Sequence, residues 1–186
     1  MIDLLTETQE KINVLSDIVC TAFIEPDIEP FIAREHFFIG DRPFGELKIA
    51  FLSQDFTNLF VPKVEGPFMG KNLCGYKIVS NAIVASKLSN FNNPQSIVVT
   101  LREVFIMLRR QWDGGEGNLL VDGRANIFYV RDINNEVRPI FTFWTIQGWV
   151  FYTIAIIYPI AWYVGHRIFS NYFTSPKIIR NKQAII

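Results

Sequence analysis

Histidine is nearly absent from this sequence: His36 and His166 are the only two among 186 residues. A zinc site, a histidine-ligated haem or a nucleophile paired with an imidazole base each needs more of them in reach of other ligands or nucleophiles. Cysteine is as scarce. Cys20 and Cys74 form no CxxC pair and sit near no histidine at metal spacing, so they read as two buried thiols that form one disulfide or none. The first residues carry no basic n-region and no long apolar run, which excludes a secretory signal or Arg-rich transit peptide within them. No Asn-x-Ser/Thr acceptor occurs, which disfavours a glycosylated lumenal protein.

Recognisable catalytic motifs are missing too. Gly66-Pro-Phe-Met-Gly-Lys71 has too few residues between its glycines for a phosphate loop, and Asn72 stands where magnesium needs a hydroxyl. Asp113-Gly-Gly-Glu-Gly117 lacks the spaced oxygen ligands of a calcium loop and reads as a turn. No cofactor, metal or small-molecule substrate is therefore expected. His36 reads as a surface or interface residue, and His166 as one at a membrane edge.

Charge is missing from one long stretch. From Pro139 to Gly165, 27 residues carry no Asp, Glu, Lys or Arg. A helix of that length spans about 40 Å, more than the roughly 30 Å hydrocarbon core of a bilayer. The run shows no polar stripe at helical spacing, which favours a lipid-facing helix over a soluble one. Trp144 and Trp149 lie toward one end and Trp162 and Tyr163 toward the other, as interfacial anchors would, followed by Arg167. Pro159 would kink the helix and mark a packing point. The expectation is one transmembrane helix over 140–166, with its core near Thr145–Val164, and a basic tail over 167–186. Counting basic flanking residues places that tail on the cytoplasmic or matrix side by four to three. A tail-anchored topology is the alternative.

What is present is uneven. The net charge is zero, but residues 1–46 hold ten acids against three bases, whereas residues 166–186 hold Arg167, Lys177, Arg180 and Lys182 with no acid. The acidic front repels phosphates, so nucleic acid is not expected as a partner. Seventeen phenylalanines supply large rigid surfaces for cores or interfaces.

The periodicity of Leu5, Ile12, Leu15, Val19 and Ala22, with Thr6 and Gln9 as a capping box, predicts an N-terminal helix within 1–24. Glu25-Pro-Asp-Ile-Glu-Pro30 breaks it; Glu25, Asp27 and Glu29 form a surface linker or a docking strip for a basic partner. Short strands punctuated by Pro and Gly follow over Gly45–Lys71. Asn93-Pro94 predicts the start of a helix over about 94–111, with Ile97, Leu101, Val104, Phe105 and Leu108 on one face. Ala125–Arg131 and Val137–Phe143 predict a β-hairpin turned by Asn134-Asn135.

The expected architecture is an α+β domain over 25–139, preceded by the N-terminal helix and followed by the span. The expected function is a non-catalytic accessory subunit of a larger membrane complex, bound to other subunits and lipid. One form is an energy-transducing complex of the mitochondrial inner membrane. The alternatives are a virion or assembly-factor membrane protein, a membrane-anchored enzyme using carboxylates, and a tail-anchored adaptor acting through residues 25–30.

Overall fold

In the computed structural model, residues 12–13, 15–40, 43, 45–84, 97–154, 160–171 and 177–178 are described. One mixed sheet organises them. Its strands lie in the order β2 (Leu15–Ile24), β6 (Lys71–Ile78), β13 (Arg167–Asn171), β9 (Asn126–Arg131), β10 (Val137–Thr145), β11 (Gly148–Thr153) and β4 (Ile49–Leu52). β8 (Val98–Val99) runs parallel to the end of β9, past the residues that β13 covers. Two-stranded ladders stand beside it: β1 (Ile12–Asn13) with β14 (Lys177–Ile178), β3 (Phe31–Ile32) with β5 (Val64–Glu65), and β7 (Ala82–Val84) with β12 (Ile160–Trp162). Strands take up 43% of the structure and helices 14%, so the architecture is mostly β and not the expected α+β.

The largest correction falls on 140–166. Its described residues form the end of β10, all of β11 and β12, and no helix among the described residues is long and apolar enough to cross a membrane. The single-span membrane placement that rested on that helix is overturned with it. The physical reason lies in two-sided burial. Ile140, Trp149 and Phe151 face one apolar core, while Phe141 and Phe143 pack against another on the opposite face. A strand covered on both faces shows no polar stripe, so the charge-free run has the same signature as a lipid-facing helix. Its aromatic and β-branched content favours strands. Thr145 pairs with Gly148 across a two-residue turn, and Ile146 at the tip is 94% exposed.

The N-terminal helix is corrected in the same way: its described part is β1, paired with β14, and β2, paired antiparallel with β6. Ala22 and Ile24 point inward and Phe23 outward, a period of two rather than 3.6. Of the helix expected over about 94–111, Ile97 is helical and the residues before it lie outside the described ones. Val98 and Val99 are strand, and α2 (Leu101–Arg109) starts at Thr100, whose hydroxyl and Glu103 form a reciprocal capping box. Asn93-Pro94 and Pro159 lie outside the described residues. The β9–β10 hairpin forms, with Asn135 at φ 63°.

One core lies between the sheet and the helices. There Phe37, Phe56, Phe105 and Phe151 pack ring on ring with α1 (Gln54–Leu59) and α2. The second core, on the other face, gathers Tyr76, Ile78, Ile127, Tyr129, Trp162 and Ile168.

Candidate docking strip

The acidic strip is built where β2 ends. Pro26 removes a backbone donor beyond Ile24, and Asp27 then pairs with Phe68 through two backbone hydrogen bonds of 2.8 and 2.7 Å. The carboxylate of Asp27 accepts from the amide of Glu29 at 3.0 Å, which closes a tight Asx turn. Gly70 (φ 79°) lets the facing segment press against Pro26, since a Cβ there would sit 3.0 Å from the proline ring.

Beneath the strip lies Arg102, only 2% exposed. Its Nη1 donates to the carbonyl of Asp27 and pairs with the Asp27 carboxylate, each at 3.1 Å. Its Nη2 donates to the carbonyls of Glu29 and Gly66. The guanidinium also lies 5.8 Å from the Phe31 ring centroid. Burying a cation is costly unless it is paired and hydrogen-bonded, and the strip's carbonyls supply those bonds. One buried side chain thus fixes the path of an exposed loop.

Glu65 holds Arg102 in turn. Its carboxylate accepts from the amides of Leu101 and Arg102, each at 2.9 Å, and from Lys63 at 2.8 Å. An anion at a helix N-terminus satisfies open donors and opposes the dipole there.

Above this support the outward side chains are free of it. Ile28 is 81% exposed and Met69 is 88% exposed. Glu25 and Glu29 are exposed beside them, and among the described residues neither carboxylate has an ion-pair partner. The result is an exposed loop that carries two apolar side chains and two carboxylates without ion-pair partners among the described residues. Of the strip residues, Asp27 is half exposed and carries the structural contacts, to Arg102 and to the Glu29 amide, while Glu25 and Glu29 lie exposed on either side of it in sequence.

The other residues singled out in the sequence go elsewhere. Trp149 is fully buried and donates from its indole to the carbonyl of Gln111 at 2.9 Å; Trp144 packs edge-on against it at 5.4 Å. Trp162 is fully buried beside the hydroxyl of Tyr129, whose pKa burial pushes up. Tyr163 is exposed and meets His166 edge to face, and Arg167 donates to the carbonyl of Asn118. None of the five sits as a membrane anchor on a helix.

Cys20 lies opposite Gly75 and Cys74 opposite Thr21 in adjacent strands, so the thiols point to opposite faces of the sheet and both are free. Burial pushes the Cys20 thiol up, with the nearby Arg167 acting in the other direction.

Glu103 has a raised pKa, chiefly from burial and against the hydrogen bonds of Thr100. Its role is that of the capping box, and it does not border the cavity of about 220 Å³ lined by Met107, Arg110, Gln111, Glu116, Gly117 and Asn118. Among the described residues no group of three His, Cys, Asp or Glu side chains converges as a metal site.

Arg102, Ile28 and Met69 were not singled out by sequence spacing. One signal was available for Arg102: a cation in the first turn of a helix opposes the dipole, so it needs a separate reason to be there. Comparison of the chain with protein-family models, characterised proteins and solved structures gives no match.

Proposed function

We propose that the chain is a non-catalytic interaction subunit of a protein assembly, docking a partner through the strip formed by Glu25, Ile28, Glu29 and Met69. The observation that carries this reading is the buried Arg102, which holds an exposed acidic and apolar loop in one conformation. An exposed segment costs less entropy on binding when its backbone is already fixed, so a preorganised tip gains affinity without extra area. The side chains define the partner's chemistry: basic groups for Glu25 and Glu29, and an apolar surface for Ile28 and Met69.

A synthetic peptide alternating lysine and leucine, with a serine and leucine control, tests the reading by fluorescence anisotropy against the full chain. Binding of the basic peptide that weakens about tenfold in E25K/E29K, roughly 1.4 kcal/mol, supports it. Equal affinity for both peptides, or for wild type and variant, counts against it.

A further inference from the structure

We propose that the partner of this strip is a second copy of the same chain, which engages it through the basic and apolar segment Ile178-Ile-Arg-Asn-Lys182. This rests on the docking reading above and names its occupant.

Charge complementarity is the first argument. The chain is neutral as a whole, yet its first 46 residues carry a balance of −7 and residues 166–186 carry +4. Glu25 and Glu29 present carboxylates at the strip that have no ion-pair partner among the described residues. Arg180 and Lys182 bring cations with no acid nearby in sequence, preceded by Ile178 and Ile179, whose apolar surface matches Ile28 and Met69.

Reach is the second argument, and it selects between the chain's own segment and a copy's. Ile178 pairs with Ile12 next to the start of β2, whereas the strip follows the end of β2. Ten residues of strand separate the two ends, roughly 30 Å at about 3.3 Å per residue. Lys182 lies four residues beyond Ile178, so it reaches about 14 Å at full extension. At that reach the backbone of a chain's own Arg180 and Lys182 falls short of its own Glu25 and Glu29, which favours a second copy as the source. Strip and segment are different patches, so two copies either exchange them reciprocally in a closed dimer or pass them head to tail into rings or chains.

Sedimentation equilibrium of the full chain at low ionic strength over a wide concentration range tests this, since screening weakens exposed charge pairs. Wild type is expected to exceed the monomer mass as concentration rises. E25K/E29K and R180E/K182E are each expected to shift association about tenfold higher in concentration. Mixing the two variants should restore it, because each then offers the charge the other lacks. Thermal melts check that both variants remain folded. A wild type that stays monomeric, or association that neither reversal changes, overturns the proposal. If the monomeric chain still binds the lysine and leucine peptide at the strip, the docking reading survives; if it binds neither, both fall.

Discussion

Arg102 decides more of the local structure than any other single side chain, because three carbonyls and one carboxylate converge on it. Arg102→Met keeps most of the volume and removes every one of those bonds. Urea unfolding should show a loss of about 2–3 kcal/mol, because the carbonyls of Asp27, Glu29 and Gly66 lose a charged donor. R102K, a point charge without the planar fork, should recover only part of it. Glu103 gives a second test at this scale. Burial raises its folded pKa above the ordinary 4.5, so protonation favours the folded state. Its contribution is complete below the unfolded value and is lost as pH rises through the folded one. E103Q retains an acceptor for the Thr100 amide while removing the titration. Its stability should be flatter than that of wild type from mildly acidic to neutral pH, measured by urea midpoints. His166 slopes the other way: burial, then Arg124, lowers its pKa, so stability is full above 6.5 and declines as pH falls below it. The comparison must therefore be made within the H166N background, which isolates the Glu103 slope.

At the scale of elements, the β10–β11 hairpin is where sequence and structure diverged most. Its residues alternate correctly for a strand, but the two faces meet two different cores, and hydropathy cannot distinguish that from lipid on every side. The β9–β10 hairpin was legible because Asn134-Asn135 gives a turn its own chemical mark. Of the docking strip, the acids were legible and the support was not. Arg102 reaches Asp27 across 75 positions, and no local pattern encodes that distance. Gly148 tests the hairpin directly. It sits at φ 132°, and a Cβ there would lie 2.7 Å from the carbonyl oxygen of Lys48. Gly148→Ala should destabilise by about 2 kcal/mol, whereas Gly66→Ala, with open space around it, should change little. Ile146→Asp at the turn tip should be neutral within about 0.5 kcal/mol, as expected for an exposed site. A large loss for Ile146→Asp in thermal melts would mean that the tip is buried against something.

For the whole molecule, the sheet's open ends are the features that association must manage. An edge strand offers unpaired backbone groups to any other chain, and among the described residues β2 is such an edge. Along its outer half the edge is covered by side chains: Arg110 donates to the carbonyl of Phe23 at 2.7 Å and Asn118 to that of Thr21 at 3.4 Å. The loop that follows α2 thus blunts the edge next to the strip. That placement matters for specificity, because a chain assembling through side-chain charge must not also assemble through its backbone. R110A/N118A should leave the fold in place, since Arg110 is exposed and its bond to the strand edge is a surface one. Unlike strip-mediated association, any new association of this variant should persist at high salt, because backbone pairing is not screened as exposed charges are. Light scattering at low and high ionic strength separates the two modes. Salt-resistant association in R110A/N118A with salt-sensitive association in wild type would place the edge and the strip under separate control. Wild-type association that is itself salt-resistant would instead assign it to the edge, and the carboxylates of Glu25 and Glu29 would lose their role.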